Sequence, residues 1–418
     1  MPKPDRDDYT EEDITSAWVD QAPVLNSTVT LAEYDPEWPE LFEREAKRVR
    51  GILGERALVL EHVGSTSVPG LCAKPIIDIM LIVPDSDDED SYVPPLEAAG
   101  YKLTIREPDW EKHRCFKGPD TNINLHVYSP DNGQTERYRL FRDRLIAHED
   151  ERKLYEAKKR ELAARTWKYI QHYADAKTEV IDEIIERARA AQYDGFSRLY
   201  AAHAESSSTN AHYDRPAIVE LAGDVAGKRV LDVGCAAGHL SALLAAKGAD
   251  VLGVDASKGM VAVAREKFGA VARFETADVS RPLTFVEDGS IDVITASLVL
   301  HYLKEWAPAL AEFRRVLKPG GILVFSVHHP GEDWRWFGKE NYFQLELLDD
   351  EFPLGEHKQK VQFYRRPLSW TFGAVRDAGF AVDRLVEPMP EEALAESDPR
   401  WYANLRTKPR FLYFRAVN

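Results

Sequence analysis

Asp232, Gly234, Cys235, Ala236 and Gly238 sit together in the stretch Val230–Gly238 and have the residue types of a ligand cradle. Gly234 and Gly238 bracket a tight turn, and small side chains let a ligand approach the backbone. A helix starting at His239 adds free N–H groups at the same place. About 20 residues beyond the turn, Asp255 ends an apolar run, where a Rossmann-like unit puts a carboxylate for ribose hydroxyls. The loop lacks the spacing of the dinucleotide fingerprint and the Lys-Ser/Thr pair of a phosphate loop.

Val230, Leu231 and Val233 predict a short buried strand, and His239–Lys247 a helix that Gly248 stops. A second strand runs Asp250–Val254, a third ends in Ala277-Asp278-Val279, and a fourth covers Ile291–Ser297. The turn Leu317–Gly321 feeds a fifth, Ile322–Val327. Leu368–Ala378 reads as a helix, and Phe380–Val386 and Phe411–Val417 as a last, antiparallel pair. In this order the motifs resemble the class I S-adenosylmethionine-dependent methyltransferases, particularly small-molecule enzymes of the quinone-biosynthesis type, from about Tyr213 to the C-terminus.

That resemblance implies S-adenosyl-L-methionine as cofactor and a small-molecule methyl acceptor. It gives Asp232 to the Gly loop or the methionine ammonium, and Asp255 to the ribose diol. Asp278 takes the adenine amino group with the Val279 N–H beside the ring, and Ala256 and Met260 pack on the adenine. Ser297, Leu298 and His301 lie where the reactive methyl faces its acceptor, and His328 and His329 are base candidates. Competing structural readings are a turn cap for Asp232, a core position for Met260, and packing of His301 on Tyr302 and Trp306. The family loop reads Gly-x-Gly-x-Gly, and Ala236 holds its middle place. A positive φ there costs alanine about 1 kcal/mol. Trp334, Trp336, Phe337, Tyr342 and Phe343 read either as a lid or as a satellite cluster over the sheet edge.

A second informative stretch precedes all this. Gly64, Ser65, Ser67 and Lys74 are phosphate-binding candidates, and Asp78 on the following strand, Ile76–Val83, is a candidate ligand for Mg²⁺ and a candidate catalytic acid. The stretch resembles the GrpB family, with a nucleotidyltransferase fold, over about Val29–Ala188. Active enzymes of that fold use a second acid two positions on and a third on a neighbouring strand. Here Met80 stands at the first place, and the later strand carries Asn124 and His126. Catalysis and nucleotide binding without turnover both stay open. His62 and His126 read as hydrogen-bonded structural histidines.

The fold class is thus two-domain α/β: an α+β nucleotidyltransferase-like domain with a helical tail, then a Rossmann-like seven-stranded methyltransferase sheet. The expected layout is a loose leader over 1–25, the first domain over 26–191, a linker over 192–211 and the methyltransferase domain over 212–418. Val29–Leu31 reads as a short strand, Glu40–Leu53 as an amphipathic helix, and Glu136–Ala191 as a salt-bridged helical surface carrying Arg139, Arg142, Arg144, Lys153, Lys158, Lys159 and Arg160. The acidic run Asp85–Asp90 reads as a solvated loop, and Arg106, His113, Arg114 and Lys117 as a basic cluster able to meet an anion. A net charge of −16 argues against nucleic acid as a partner. The absence of a long apolar run argues against a membrane span, and three scattered cysteines fit a reducing, cytoplasmic location. The alternatives to a methyltransferase with a degenerate partner domain are a bifunctional nucleotidyltransferase/methyltransferase and a non-catalytic nucleotide-binding regulator.

Overall fold

The computed structural model describes residues 10–130, 132–354 and 357–418, apart from the side chains of residue 206 and of 352–357. The chain divides into two units, Met1–Ala188 and Arg189–Asn418.

In the first unit, β1 (Val59–Val63), β2 (Ile77–Ile82), β3 (Lys102–Glu107), β4 (His113–Lys117) and β5 (Ile123–Tyr128) form a sheet of order β1-β2-β5-β4-β3. Only β2 and β5 run parallel, in a register that sets Asp78 beside Asn124 and Met80 beside His126. Successive β2 side chains point to opposite faces. Ile77, Ile79 and Leu81 pack under the helix Trp38–Leu53 through Trp38, Ala46, Val49 and Leu53. Met80 joins Val63, Tyr128 and Tyr138 in a separate cluster, and Asp78 shares that opposite side. The helices Gly133–Ala147, Glu149–Ala163, Ile170–Asp175 and Thr178–Ala190 follow.

In the second unit, β6 (Arg229–Val233), β7 (Asp250–Asp255), β8 (Arg273–Thr276), β9 (Ile291–Ser297) and β10 (Leu317–His328) are parallel. A hairpin of β11 (Glu346–Leu354) and β12 (His357–Arg365) intervenes, and β13 (Ala381–Val386) and β14 (Phe411–Val417) complete the sheet in the order β13-β14-β10-β9-β6-β7-β8. β14 is antiparallel to both its neighbours. Leu231, Val233, Ile294, Leu323 and Phe325 pack on one face with Trp306 and Phe313, and Val230, Val293 and Val324 on the other with Ile218 and Tyr413. Both faces are covered, which is why these strands read as near-continuous apolar runs. The strand order turns back between β6 and β9, and ligands of such sheets bind outside the carboxyl ends at that switch point.

Several expectations are corrected. Of the expected leader, residues 1–9 lie outside the described residues. The rest carries the helix Glu11–Ser16, closed by a capping box from Thr10 and Asp13, and the Val19 N–H donates to the Thr104 carbonyl. Val29–Leu31 forms no strand; only isolated bridges at Ser27 and Ala32 flank it. Residues 192–211, expected as a linker, carry the helix Ser197–Ser206 and fall within the second unit. The reason is Asp194, whose Oδ1 accepts from Ser257 Oγ at 2.5 Å and from the Gly259 N–H at 2.9 Å, at the start of the helix Lys258–Phe268. The acidic run is ordered: Glu89 takes both Arg106 and Arg114, and Asp87 takes Lys112 and Arg114. The expected acidic loop and two of the four expected basic residues, Arg106 and Arg114, are therefore partners of each other. Among the described residues no helix is long and apolar enough to cross a membrane.

Candidate functional site

A cavity of about 700 Å³ opens at the carboxyl ends of β6, β7, β8 and β9. It brings together Asp232, Gly234, Cys235, Ala236, Asp255, Ala256, Met260, Asp278, Val279, Ser297 and Leu298, with His301 and His328. Gly238 is not among its walls. It caps the helix His239–Ala246 at φ 83°, and a Cβ there would lie 2.9 Å from the Phe274 ring, so its part is close packing. His329 also stands apart: its Nε2 pairs with Glu387 at 2.8 Å and its Nδ1 accepts from the Gly331 N–H at 3.2 Å. It caps the helix Pro330–Trp336 and is no base candidate.

The loop after β6 is held from two sides. Asp232 is buried, with Oδ1 accepting from Thr295 Oγ1 at 2.8 Å and Oδ2 from Ser241 Oγ at 2.5 Å. It ties β6 to β9 and to the helix His239–Ala246, which is the loop-anchoring reading. Ala236 has φ 45°, so the left-handed turn is required and the cost to alanine is incurred. That turn directs its N–H at Asp255 Oδ2, 2.9 Å away, while Asp255 Oδ1 accepts from the Ser257 N–H at 2.8 Å. Burial pushes the carboxyls of Asp232 and Asp255 up to about 6. Asp278 Oδ1 accepts from the Ser280 N–H and Oγ, so it caps its own turn as it lines the cavity. Met260 is both core and wall.

The far end of the cavity is richer in polar chemistry. His301 is buried, and among the described residues neither ring nitrogen has a hydrogen-bond partner. It packs on Tyr302 at 4.4 Å and on His328 at 4.5 Å between ring centroids. Trp306, expected beside it, instead packs on Phe325 and Trp370. Burial, with His328 and Arg366 nearby, holds His301 well below the usual histidine range, so it is neutral. His328 Nδ1 lies 3.4 Å from the buried Asp333. Of the five aromatics read as a lid, Trp336 alone lines the cavity, while Phe337 packs on Phe363 and Trp334 on Tyr342.

Sequence reasoning missed Asp214. It is buried, takes Ser297 Oγ and Ser326 Oγ, and lines the cavity. Its signal was Asp214-Arg215-Pro216 opening the helix Arg215–Ala222. Leu298, named from the sequence, carries a feature the sequence did not show: it has φ 53°, a bulky residue held in the left-handed region by an N–H bond to Ser326 Oγ. Such strain marks functional loops.

In the first unit a smaller cavity of about 270 Å³ contains Ser65, Lys74, Asp78 and His126. Gly64 and Ser67 do not line it. Ser67 Oγ donates to the Gly64 carbonyl at 2.6 Å, and Gly64, at φ 70°, leaves space for Asp78, whose Oδ2 would be 2.5 Å from a Cβ there. Asp78 Oδ1 accepts from Asn124 Nδ2 at 2.7 Å and lies 3.7 Å from His126 Nε2. His126 Nδ1 meets His113 Nε2 at 2.9 Å, and His113 Nδ1 meets Glu107 at 2.8 Å. His62 is structural: it meets Thr66 Oγ1 at 3.0 Å and stacks on Phe42. The residues do not fit Mg²⁺. Asp78 is the only carboxylate lining this cavity among the described residues, and four lysines line it too. Nor do the described residues hold a His, Cys, Asp and Glu cluster arranged for a metal ion.

A family model described as GrpB protein matches residues 28–187, and one described as methyltransferase domain matches residues 231–325. A UPF0157 protein of Halalkalibacterium halodurans is 56% identical over 181 residues, covering 43% of this chain and 93% of that protein. A crystal structure of the conserved protein GrpB from Enterococcus faecalis is 34% identical, with TM-score 0.35, over 38% of this chain and 96% of that one. A crystal structure of an S-adenosylmethionine dependent methyltransferase from Mesorhizobium loti is 24% identical, with TM-score 0.40, over 51% of this chain and 100% of that one.

Proposed function

The chain belongs to the GrpB family through its first unit and carries a methyltransferase domain in its second, and on that premise we propose that the second unit methylates a small molecule with S-adenosylmethionine. The observation that carries the reading is the convergence of Ala236, Asp255, Asp278 and His301 on one cavity at the switch point of a parallel sheet. The donor set suits the cofactor. Asp255 offers carboxylate oxygens to a vicinal diol, Asp278 and the Val279 N–H stand where an adenine edge is read, and Met260 gives an apolar wall. When bound, S-adenosylmethionine supplies an electrophilic methyl group on its sulfonium.

The chain's own contribution is positioning and proton handling. Asp232 and Asp255 fix the loop from opposite sides, so the cofactor site is formed before binding. The neutral His301 offers both ring nitrogens to an acceptor's polar group, having a partner for neither among the described residues. His328, beside Asp333, is the group to take a proton from an acceptor hydroxyl or amine. The aromatic surroundings of Tyr302 and Trp336 favour a flat or apolar acceptor.

Calorimetric titration of the whole chain with S-adenosylmethionine tests the reading, followed by an acceptor screen read by release of S-adenosylhomocysteine. Micromolar binding and turnover with a small molecule are expected. Absence of binding would reduce the resemblance to one of fold.

A further inference from the structure

The cavity of the first unit carries a charge that the rest of the chain does not predict. Lys74, Lys117, Lys159 and Lys177 all line it, against the single carboxylate of Asp78, in a protein of net charge −16. They come from separate places in the chain: the turn before β2, the end of β4, the helix Glu149–Ala163 and the segment before the helix Thr178–Ala190. Only the fold collects them.

None of the four has an ion-pair partner within 4 Å among the described residues. Lys117 donates to Asn124 Oδ1, and Lys159, expected on a salt-bridged surface, turns inward to the Cys72 carbonyl. Lys74 and Lys177 both lie over one ring, Tyr173, with Nζ at 5.9 and 4.5 Å from its centroid. Burial first, and then the neighbouring lysines, weaken the hold of Lys74, Lys159 and Lys177 on their protons. Lys177 lies far below the usual lysine range, through burial and then Lys74 and Lys159, and burial brings Lys159 down to about 8. Protonating several lysines around one cavity beside one counter-charge is costly unless something else neutralises them.

We propose that this cavity is a binding site for a compact phosphate-bearing anion, neutralised by Lys74, Lys117, Lys159 and Lys177 and not by a divalent cation. The charge selects the class: the surplus of ammonium groups over carboxylate matches a phosphate ester or pyrophosphate better than a single carboxylate. Lysine binds phosphate as a point charge, and the Ser65 hydroxyl in the same wall can donate to a phosphate oxygen. Size selects compactness, because about 270 Å³ lies just below the usual range of about 300–1,000 Å³ for small-molecule pockets. Trp18, Tyr169 and Tyr173 supply an apolar side for the organic part of an ester.

The test is thermal unfolding and calorimetry of the full chain with pyrophosphate and with ribose 5-phosphate, in EDTA and then in Mg²⁺. At least one probe is expected to bind in EDTA, no more weakly than with Mg²⁺. Lys74→Gln with Lys177→Gln is expected to weaken it by about tenfold or more and, by relieving repulsion, to raise the melting temperature of the free protein. Asp78→Asn is expected to keep or tighten binding, since it removes the one repulsive carboxylate. No binding of either probe, a strict need for Mg²⁺, loss of binding in Asp78→Asn, or undiminished binding in the double lysine variant would each overturn the proposal. Misfolding of the double variant is separated from loss of a ligand contact by its circular dichroism and by Lys177→Met alone, which is expected to fold and to bind more weakly.

Discussion

The Ala236 N–H donates to Asp255 Oδ2 at 2.9 Å, so the residue that departs from the family's glycine pattern is held by the acid expected to bind ribose. One carboxylate thus shapes the loop and faces the cavity. Asp255→Ala is expected to remove two backbone contacts and the ribose acceptor together. Hydrogen bonds to a charged group are worth about 1.5–3 kcal/mol each, so S-adenosylmethionine affinity should fall by about a hundredfold or more. Unchanged affinity in calorimetry would sink the ribose assignment.

The raised carboxyls of Asp255 and Asp232 give opposite pH trends for stability and for binding. Both hold their proton up to about 6 in the folded protein, against about 4 when unfolded. Between those values the folded state binds more protons, so their contribution to stability falls as pH rises through the window and stays lost above it. Cofactor binding needs the ionised Asp255 as acceptor, so affinity should fall as pH drops below about 6. Relative to Asp255→Asn, the ligand-free wild type should gain melting temperature from pH 7 to pH 5 while losing affinity. Parallel trends would show that Asp255 titrates outside this window.

Asp78→Asn is expected to leave methyl transfer unchanged, because Asp78 lines the cavity of the first unit and the residues described around the methyltransferase cavity belong to the second. Steady-state turnover of the variant checks this. A large loss would mean that the two halves are chemically coupled.

The strands of the second sheet were legible because burial on both faces writes near-continuous apolar runs into the chain, as in Val230–Val233 and Ile291–Ile294, each broken by one aspartate, Asp232 and Asp292. The β11–β12 hairpin was not, since Glu346–Glu351 has no two-residue alternation to read. Asp214 was hidden for a different reason. Its partners Ser297 and Ser326 lie 83 and 112 positions away, and no local pattern records such a contact. Lys159 misled through its neighbours: Lys158 and Arg160 do form surface pairs, and only the docking of the helix Glu149–Ala163 decides which of three consecutive basic residues faces inward. The glycine turn and the acid ending β7 were readable because a turn and a strand end are local; the lysine cavity was not, because it is assembled.

Gly234 offers a strict test of the loop geometry. It has φ 63°, and a Cβ built there would lie 2.0 Å from Val299 Cγ2. Gly234→Ala therefore meets both a backbone penalty and an overlap with a residue of the cavity wall. The expected cost is about 2 kcal/mol or more in unfolding free energy, with loss of S-adenosylmethionine binding. Ala236→Gly should act in the other direction and stabilise by about 1 kcal/mol, since glycine takes its φ of 45° without strain. Denaturant melts of the two variants check both signs. A neutral Gly234→Ala would mean that Val299 moves freely.

His301 and His328 touch each other but are set for different work. His301 is neutral, buried and, among the described residues, without partners on either nitrogen, which suits it to orient an acceptor. His328 has Asp333 at 3.4 Å from Nδ1, an arrangement that can stabilise an imidazolium. His301→Ala should therefore raise the KM for the acceptor more than it lowers kcat. His328→Ala should lower kcat, by about 10²–10⁴-fold where the acceptor must lose a proton, and the loss should shrink as pH approaches the acceptor's own pKa. Both variants should keep S-adenosylmethionine affinity, which calorimetry reads independently of turnover. Equal kcat losses in the two, with a flat pH dependence, would remove proton transfer from the role of His328 and leave the pair as walls of the acceptor site.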